Sequence, residues 1–194
     1  MGDLTKRALS QALGELLEEK PLDKITISSI TDRCGLTRNT FYYHFEDIYD
    51  LLRWEFERQS DKIMKEIEAD CSAESFLNGL NYLYSRKKAI YHIYNSISRS
   101  SLEKYIRDIA KKYAGAIVDR LLGSPAANTD ARAIVADFYT NAFVGSIEQW
   151  LDDRMSTSPE VMSILCEEML TGTIESAAKS ARKVILDPRI RPGM

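Results

Sequence analysis

Two short segments, Thr26–Cys34 and Thr37–Phe45, stand back to back with only Gly35-Leu36 between them. Each opens on a threonine, whose hydroxyl can accept a backbone N–H at a helix start. The first closes on a glycine, the residue that enters the left-handed conformation at a helix end without penalty. The β-branched run Ile25-Thr-Ile-Ser-Ser-Ile-Thr suggests a strand, but its length and punctuation predict a short helix. So brief a connection makes the second helix, Arg38 to about His44, cross the first sharply, which is the pattern of a helix-turn-helix. Ile27, Ile30 and Cys34 then share one face, with Leu36 packing beyond the turn. Phe41 and Phe45, four residues apart, face inward against Ile27, Ile30 and Leu36.

A helix held this way by its apolar side leaves the other side for DNA, where donors reach base edges and phosphates. Thr37, Arg38, Asn39, Tyr42 and Tyr43 occupy that side. The unpaired N–H groups at the helix start favour phosphate. Arg38 suits guanine, Asn39 adenine and the Thr40 methyl thymine, while the hydroxyls of Tyr42 and Tyr43 and the imidazole of His44 suit phosphates. Thr26 and Ser28, at the start of the supporting helix, complete the candidate DNA-binding set. The sequence singles out no one base reader among them.

The surrounding chain reads as helix throughout. Leu4, Ala8, Ala12, Leu13, Leu16 and Leu17 recur at helical spacing up to a stop near Lys20-Pro21. Asp47 caps a long segment running through Leu51, Leu52, Phe56, Ile63 and Ile67 to about residues 70–72. Further helices are expected at 73–85, 87–97, 100–122, 130–153 and 159–185, with breaks at Gly123-Ser-Pro125 and Ser158-Pro159. With no repeat, low-complexity tract or strand-rich region, the expected fold is all-α. A three-helix helix-turn-helix domain at 1–48 precedes a C-terminal helical bundle at 49–194.

Composition narrows the function. At 44% hydrophobic and 28% charged residues the chain is ordinary for a folded globular protein. A net charge of -3 argues against a protein that coats nucleic acid through a broad basic surface. Between Lys24 and His44, however, Lys24, Arg33 and Arg38 face only Asp32, a local net of +2. Cys34, Cys71 and Cys166 are odd in number and widely spaced, which fits a reducing cytoplasm better than a disulfide framework or a zinc site. No apolar run suits a signal peptide or a membrane span. His44 and His92 are far apart, and the acidic pairs Glu18-Glu19, Asp152-Asp153 and Glu167-Glu168 read as solvated helix faces. Neither a cofactor, a metal nor catalysis is expected.

Residues 4–56 resemble the TetR family of regulators. The resemblance rests on Ile25-Thr-Ile27, Ile30, Gly35-Leu36-Thr37, Thr40-Phe41-Tyr42 and His44-Phe45. It implies an all-α homodimer that binds double-stranded operator DNA, in which the long helix after the head leads into a C-terminal effector and dimerisation domain. Two departures stand out. The family commonly places at position 48 a lysine that touches the DNA backbone, where this chain has Ile48 behind Glu46 and Asp47. In the second helix, Thr31 and Cys34 replace the usual alanines. The stretch Tyr42-Tyr-His-Phe-Glu-Asp-Ile-Tyr-Asp-Leu51 also resembles a subgroup that includes activators of dihydroxyacetone kinase operons.

The run Asp137–Leu151, followed by Ser158-Pro159-Glu160, resembles the family's last two helices, which pair across a twofold axis. Phe138, Ala142, Gly145, Trp150, Met162, Leu165 and Met169 are the candidate dimer residues, with Gly172, Ala177 and Ala178 permitting close approach and Ile174 adding apolar area. Monomer core explains the same stripe. A palindrome reader requires two copies, which favours the interface. Tyr84, Tyr91, His92, Tyr94, Tyr105 and Phe138 lie where the family builds its effector cavity, although tyrosine at helical spacing is more often ordinary core or interface. The expected function is a repressor released from a palindromic operator by a small effector. The alternative is an activator or adaptor that works through a protein co-regulator, without a small-molecule ligand.

Overall fold

The computed structural model of the protein describes residues 2–69, 72–122 and 129–186, and no strand occurs among them. The helices are α1 (Gly2–Glu19), α2 (Ile27–Cys34), α3 (Arg38–His44), α4 (Ile48–Ala69), α5 (Ala73–Ser85), α6 (Lys87–Tyr94), α7 (Arg99–Leu122), α8 (Thr129–Asp152) and α9 (Pro159–Leu186). A single 3-10 turn, Leu22–Lys24, joins α1 to α2. The all-α fold expected from the sequence is thus the observed one. Cys71 and the break at Gly123-Ser-Pro125 lie outside the described residues.

The described residues fall into two compact units. The first draws on Met1–Lys62 and Tyr82–Tyr105, and the second on Ile63–Asn81 and Ile106–Met194. In the first, α1 buries Leu9, Leu13, Leu16 and Leu17 and touches α2, α3 and α6. Each of these leucines gains about 1.5–3 kcal/mol over exposure, which is why α1 can serve as the post that the short α2 and α3 lean on. Helices of seven or eight residues are unstable alone and depend on such packing. His92 on α6 adds a polar tie, its Nδ1 lying 2.6 Å from the Leu17 carbonyl oxygen.

α6 ends at Tyr94, three residues before the expected end. The serines that follow explain the difference. Ser96 Oγ donates to the Ile93 carbonyl at 2.7 Å and then accepts from the Ser98 N–H at 3.1 Å, so side chains take over the backbone groups that another helical turn would have used.

The second unit has an aromatic centre. Phe76 stacks on Tyr113 at 5.2 Å between centroids, and both meet Phe143, at 5.3 and 5.5 Å. Tyr113 donates to the Ser72 carbonyl at 3.3 Å. α8 packs along α9, and the hydroxyls of Tyr139 and Thr173 are 2.5 Å apart across that contact. At the end of α8, Met155 N–H reaches the Trp150 carbonyl and Arg154 N–H the Leu151 carbonyl, the bond pair of a Schellman cap. Arg154 therefore holds φ 57°, a position more often given to glycine.

Candidate nucleic-acid interface

The head is assembled from local bonds. Thr26 Oγ1 accepts the Ser29 N–H at 3.1 Å while Ser29 Oγ accepts the Thr26 N–H at 3.0 Å, a reciprocal capping box. At the other end of α2, Leu36 N–H bonds to the Thr31 carbonyl and Gly35 N–H to the Asp32 carbonyl, with Gly35 at φ 67°. That left-handed turn sets the direction of α3. Thr37 then opens α3, its Oγ1 accepting the Thr40 N–H at 3.1 Å and sharing a 2.9 Å hydroxyl contact with Thr40. Thr31 is buried, yet its hydroxyl donates to the Ile27 and Ser28 carbonyls at 3.0 and 3.1 Å. A threonine is tolerated there because its polar atom is satisfied within its own helix.

Phe41 is 0% exposed and Phe45 is buried beside it, their centroids 5.9 Å apart, as the sequence pattern requires. Ile30 is fully buried as well, whereas Ile27 and Leu36 are half-buried. On the opposite side Arg38, Asn39, Tyr42 and Tyr43 are exposed, Tyr43 at 83%. Positions 38 and 42, and 39 and 43, are each one turn apart, so the four side chains share one surface. The remaining candidates are placed differently. Thr26 and Thr37 are exposed, but their hydroxyls act as helix caps; Ser28 and Thr40 are half-buried. His44 is half-buried under the edge of Tyr43, with centroids 4.9 Å apart.

The basic island is smaller than its sequence suggests. Arg33 forms a two-pronged bond to Glu19, at 2.9 and 3.0 Å, and lies 3.6 Å from Glu15. It ties α2 to α1. The hydrogen bond from Arg33 lowers the Glu19 pKa, against a smaller opposing effect of desolvation. Asp47 Oδ1 accepts the Asp50 N–H at 2.7 Å and Asp50 Oδ2 accepts the Glu46 N–H at 3.1 Å, so Asp47 caps α4 and Asp50, in its first turn, reaches back to the chain ahead of it. Ile48 itself is half-buried.

A cation and aromatic cluster, which sequence reasoning missed, fastens α1 to the start of α4. The Lys6 ammonium lies 5.3 Å from the Phe45 centroid and 5.8 Å from that of Trp54, while the Arg58 guanidinium lies 5.8 Å from Trp54 on α4. Arg58 in turn grips Glu55 at 2.9 and 3.0 Å. Glu55 also accepts from Ser10 of α1 at 2.5 Å and from Gln59 at 2.7 Å. Burial raises the Glu55 pKa, but the bonds from Arg58, Ser10 and Gln59 together outweigh it and leave the carboxyl below its ordinary value. No periodicity in the sequence signals such a hub, because Ser10 and Glu55 are 45 residues apart.

The candidate effector residues differ in exposure and in what they already contact. Tyr84 is exposed, with Lys87 5.6 Å from its ring. Tyr91 is half-buried, and His92 is committed to Leu17. Tyr94 is buried under the Arg99 guanidinium, 4.0 Å from its centroid, and accepts an Arg99 N–H at 2.7 Å. Phe138 is 67% exposed. Tyr105 is 4% exposed and stacks on Phe56 at 5.0 Å. Among the described residues, its hydroxyl is the buried side-chain polar atom that lacks a hydrogen-bond partner. Burial pushes its pKa well up, and does the same to neighbouring Tyr82, to about 12.

Of the candidate dimer residues, Phe138, Ala142, Gly145, Leu165 and Met169 are exposed and Met162 is half-buried. Trp150 is different: it is buried within the protomer and donates its indole N–H to the Thr157 carbonyl at 2.8 Å, pinning the α8–α9 connection. Ile134 on α8 and Val161 and Ile164 on α9 extend the exposed row and were not singled out from sequence. A groove of about 460 Å³ runs along it, lined by Phe138, Ala142, Ser146, Met169, Thr173 and Ala177 among others. Gly172 and Ala178 lie within α9, and their exposure is outside what the structure describes. Among the described residues no group of His, Cys, Asp and Glu could hold a metal ion, and no helix is long and apolar enough to cross a membrane.

Comparison with known proteins agrees with this architecture. The family model described as bacterial regulatory proteins, tetR family, matches residues 9–53, and one described as transcriptional regulator C-terminal region matches residues 70–172. No curated protein matches the sequence. Among solved structures, the dihydroxyacetone kinase operon activator DhaS has a TM-score of 0.74 at 18% identity, covering 89% of this chain and 97% of that one. A tetR-family transcriptional regulator from Streptomyces coelicolor gives 0.62 at 12%, covering 95% and 94%. NalD, the secondary repressor of the MexAB-OprM multidrug efflux pump in Pseudomonas aeruginosa, gives 0.57 at 14%, covering 88% and 96%. At these identities the likeness is one of fold. With the capped head matched by one model and more than half of the chain by the other, the protein belongs to the TetR family of transcriptional regulators, whose members bind DNA through this head and form dimers.

Proposed function

We propose that the protein is a cytoplasmic repressor that binds a palindromic operator as a homodimer and leaves it when a small effector binds. Residues 1–48 form the reading module and 49–194 the effector and dimerisation part. The observation that carries the reading is the exposed quartet Arg38, Asn39, Tyr42 and Tyr43 on a helix anchored by Phe41 and Phe45. Arg38 and Asn39 are assigned to base edges, Tyr42 and Tyr43 to phosphates. Thr26, Ser28 and Thr37, at the two helix starts, and His44, at the end of α3, are assigned to the DNA backbone, and the Thr40 methyl to thymine. The exposed row of Ile134, Phe138, Ala142, Ile164, Leu165 and Met169 is the surface proposed to pair with its twofold mate, since apolar side chains in such a row are costly in water. The partnerless hydroxyl of Tyr105 supports an effector, because a buried polar atom of this kind calls for a ligand atom or a water.

Selecting bound duplexes from a random pool tests the reading. The expected product is an inverted repeat with half-site centres about 34–36 Å apart or a multiple of it. Recovery of single, unpaired sites would refute the dimeric arrangement. A library screen for compounds that release the selected operator tests the effector. A second reading, an activator or adaptor working through a protein co-regulator, is favoured by the exposure of Tyr84 and Phe138 and by the commitment of His92 to the Leu17 carbonyl. The solved relatives of this fold include both a named activator and a named repressor, so the fold is compatible with either sign. Capture of a protein by the chain bound to its operator, with no compound able to release it, is the result that would select this second reading.

A further inference from the structure

The first unit contains a cleft of about 680 Å³ between α1 and the side chains of Glu55, Arg58, Ser85 and Arg86. We propose that this cleft binds a small zwitterion of the amino-acid type, with Arg86 holding its carboxylate and Glu18 its ammonium group. The inference rests on the effector reading above, though not on the Tyr105 hydroxyl, which does not line this cleft, and gives that reading a place and a chemistry.

The charges of the cleft decide the ligand. Three guanidinium groups and three carboxylates line it, and most are already committed. Arg7 is paired with Asp3 at 2.8 Å and Arg58 with Glu55. Glu55 is saturated by Ser10, Arg58 and Gln59. Glu15 accepts from Gln11 at 3.0 Å and lies 3.6 Å from Arg33. That leaves Arg86 and Glu18. Among the described residues Arg86 meets no carboxylate at ion-pair distance; its guanidinium rests 5.3 Å from the Tyr82 centroid. A ligand of one sign alone would satisfy one of the two groups and face repulsion from the other, whereas a zwitterion satisfies both.

Both groups also border the same stretch of α1. A Cβ placed on Gly14 would lie 3.4 Å from Arg86 Nη1, so the guanidinium passes directly over α1 at that residue. Glu18 is one turn further along the same face, with positions four apart separated by about 5–6 Å between Cβ atoms.

The cleft also has a route to the head. Its wall includes Ser10 and Gly14 of α1, and α1 carries α2 and α3. A ligand that draws Arg86 and Glu18 together loads α1, and any difference in its affinity between operator-bound and operator-free forms becomes a change in operator affinity.

The test is isothermal titration of the full chain with each standard amino acid, repeated on Arg86→Met and Glu18→Gln. At least one amino acid is expected to bind the wild type and to lose about tenfold or more in affinity with Arg86→Met. Glu18→Gln should weaken that amino acid but strengthen its α-hydroxy acid analogue, which lacks the ammonium and is repelled by the Glu18 carboxylate. Arg86→Lys keeps the charge and guards against loss through altered packing on Tyr82; it should retain part of the affinity. Binding undiminished in both Arg86→Met and Glu18→Gln, or no binding by any standard amino acid, overturns the proposal. A compound that releases the operator equally from wild type and Arg86→Met leaves the effector reading standing and removes this site. An amino acid that binds through Arg86 without moving operator affinity does the reverse.

Discussion

Truncating Phe41 to alanine should uncouple the reading helix from its support. The ring is fully buried and meets Phe45 and Tyr42 at centroid distances of 5.9 and 5.8 Å. A phenylalanine buries about 150–250 Å², most of it lost with the ring, which at about 25 cal/mol per Å² amounts to roughly 3–4 kcal/mol. The aromatic contacts add about 0.5–1.5 kcal/mol, so the total falls near the 3–5 kcal/mol typical of such truncations. For a chain of this length each kcal/mol moves the melting temperature by about 2–4 °C, giving an expected fall of roughly 6–20 °C. Thermal melts followed by circular dichroism read this directly. Phe41→Leu, which keeps most of the volume, should cost less than about 1.5 kcal/mol. Tyr43→Ala, on the 83% exposed neighbour, should stay within about 0.5 kcal/mol of wild-type stability while weakening operator binding. A melting temperature for Phe41→Ala within about 2 °C of wild type would refute the anchoring argument, whatever happened to DNA binding.

Arg38→Ala should leave the melt unchanged and cost about 1–3 kcal/mol in operator binding, with relaxed preference at one base position; fluorescence anisotropy against single-base operator variants reads both. Gly35→Ala meets no atom within 4 Å of the new Cβ, so its cost is that of the left-handed backbone alone, about 1–2 kcal/mol in a denaturant titration. Glu55→Gln should lower the melting temperature at neutral pH. Because the folded-state pKa of Glu55 is depressed, the wild-type advantage is present above the ordinary carboxylate value and should vanish as pH falls through the folded value; a gap that persisted in acid would exclude the charged hub as its source. Phe138→Arg with Met169→Glu, both at exposed positions, should leave the protomer folded but reduce the sedimenting species to a single chain and cost operator affinity. A dimer that survived both changes would move the interface elsewhere.

What was legible in the sequence was what is decided locally. Caps at Thr26 and Thr37, the glycine turn at Gly35 and the inward pair Phe41/Phe45 depend on neighbours within one or two turns, and the structure has them where the spacing put them. The early end of α6 depends on serine side chains competing with the backbone, a signal present at Ser96 and Ser98 but outvoted by the apolar period before it. The errors of placement are long-range. Arg33 looked like part of a basic surface because its partners Glu15 and Glu19 sit on a different helix. Trp150 fitted an interface stripe, yet the turn after α8 brings the Thr157 carbonyl to its N–H. His92 fitted a cavity wall, yet 75 residues upstream Leu17 offers it a carbonyl. Tyrosine spacing along one helix carries no information about which rings converge.

The pairing of Arg33 with α1, described above as a structural tie, bears on how the protein finds its operator. Affinity for arbitrary DNA grows with the number of phosphates neutralised, and log affinity falls with log salt at about 0.9 per contact. A head whose arginine at position 33 is occupied by Glu19, and whose next helix opens on Glu46 and Asp47, makes few such contacts. Its salt dependence should be shallow and its residence on random sequence short. On the proposed function, search should then proceed by repeated three-dimensional encounter more than by sliding, and discrimination should fall to the dissociation rate set by Arg38, Asn39 and the two tyrosines once both half-sites are engaged.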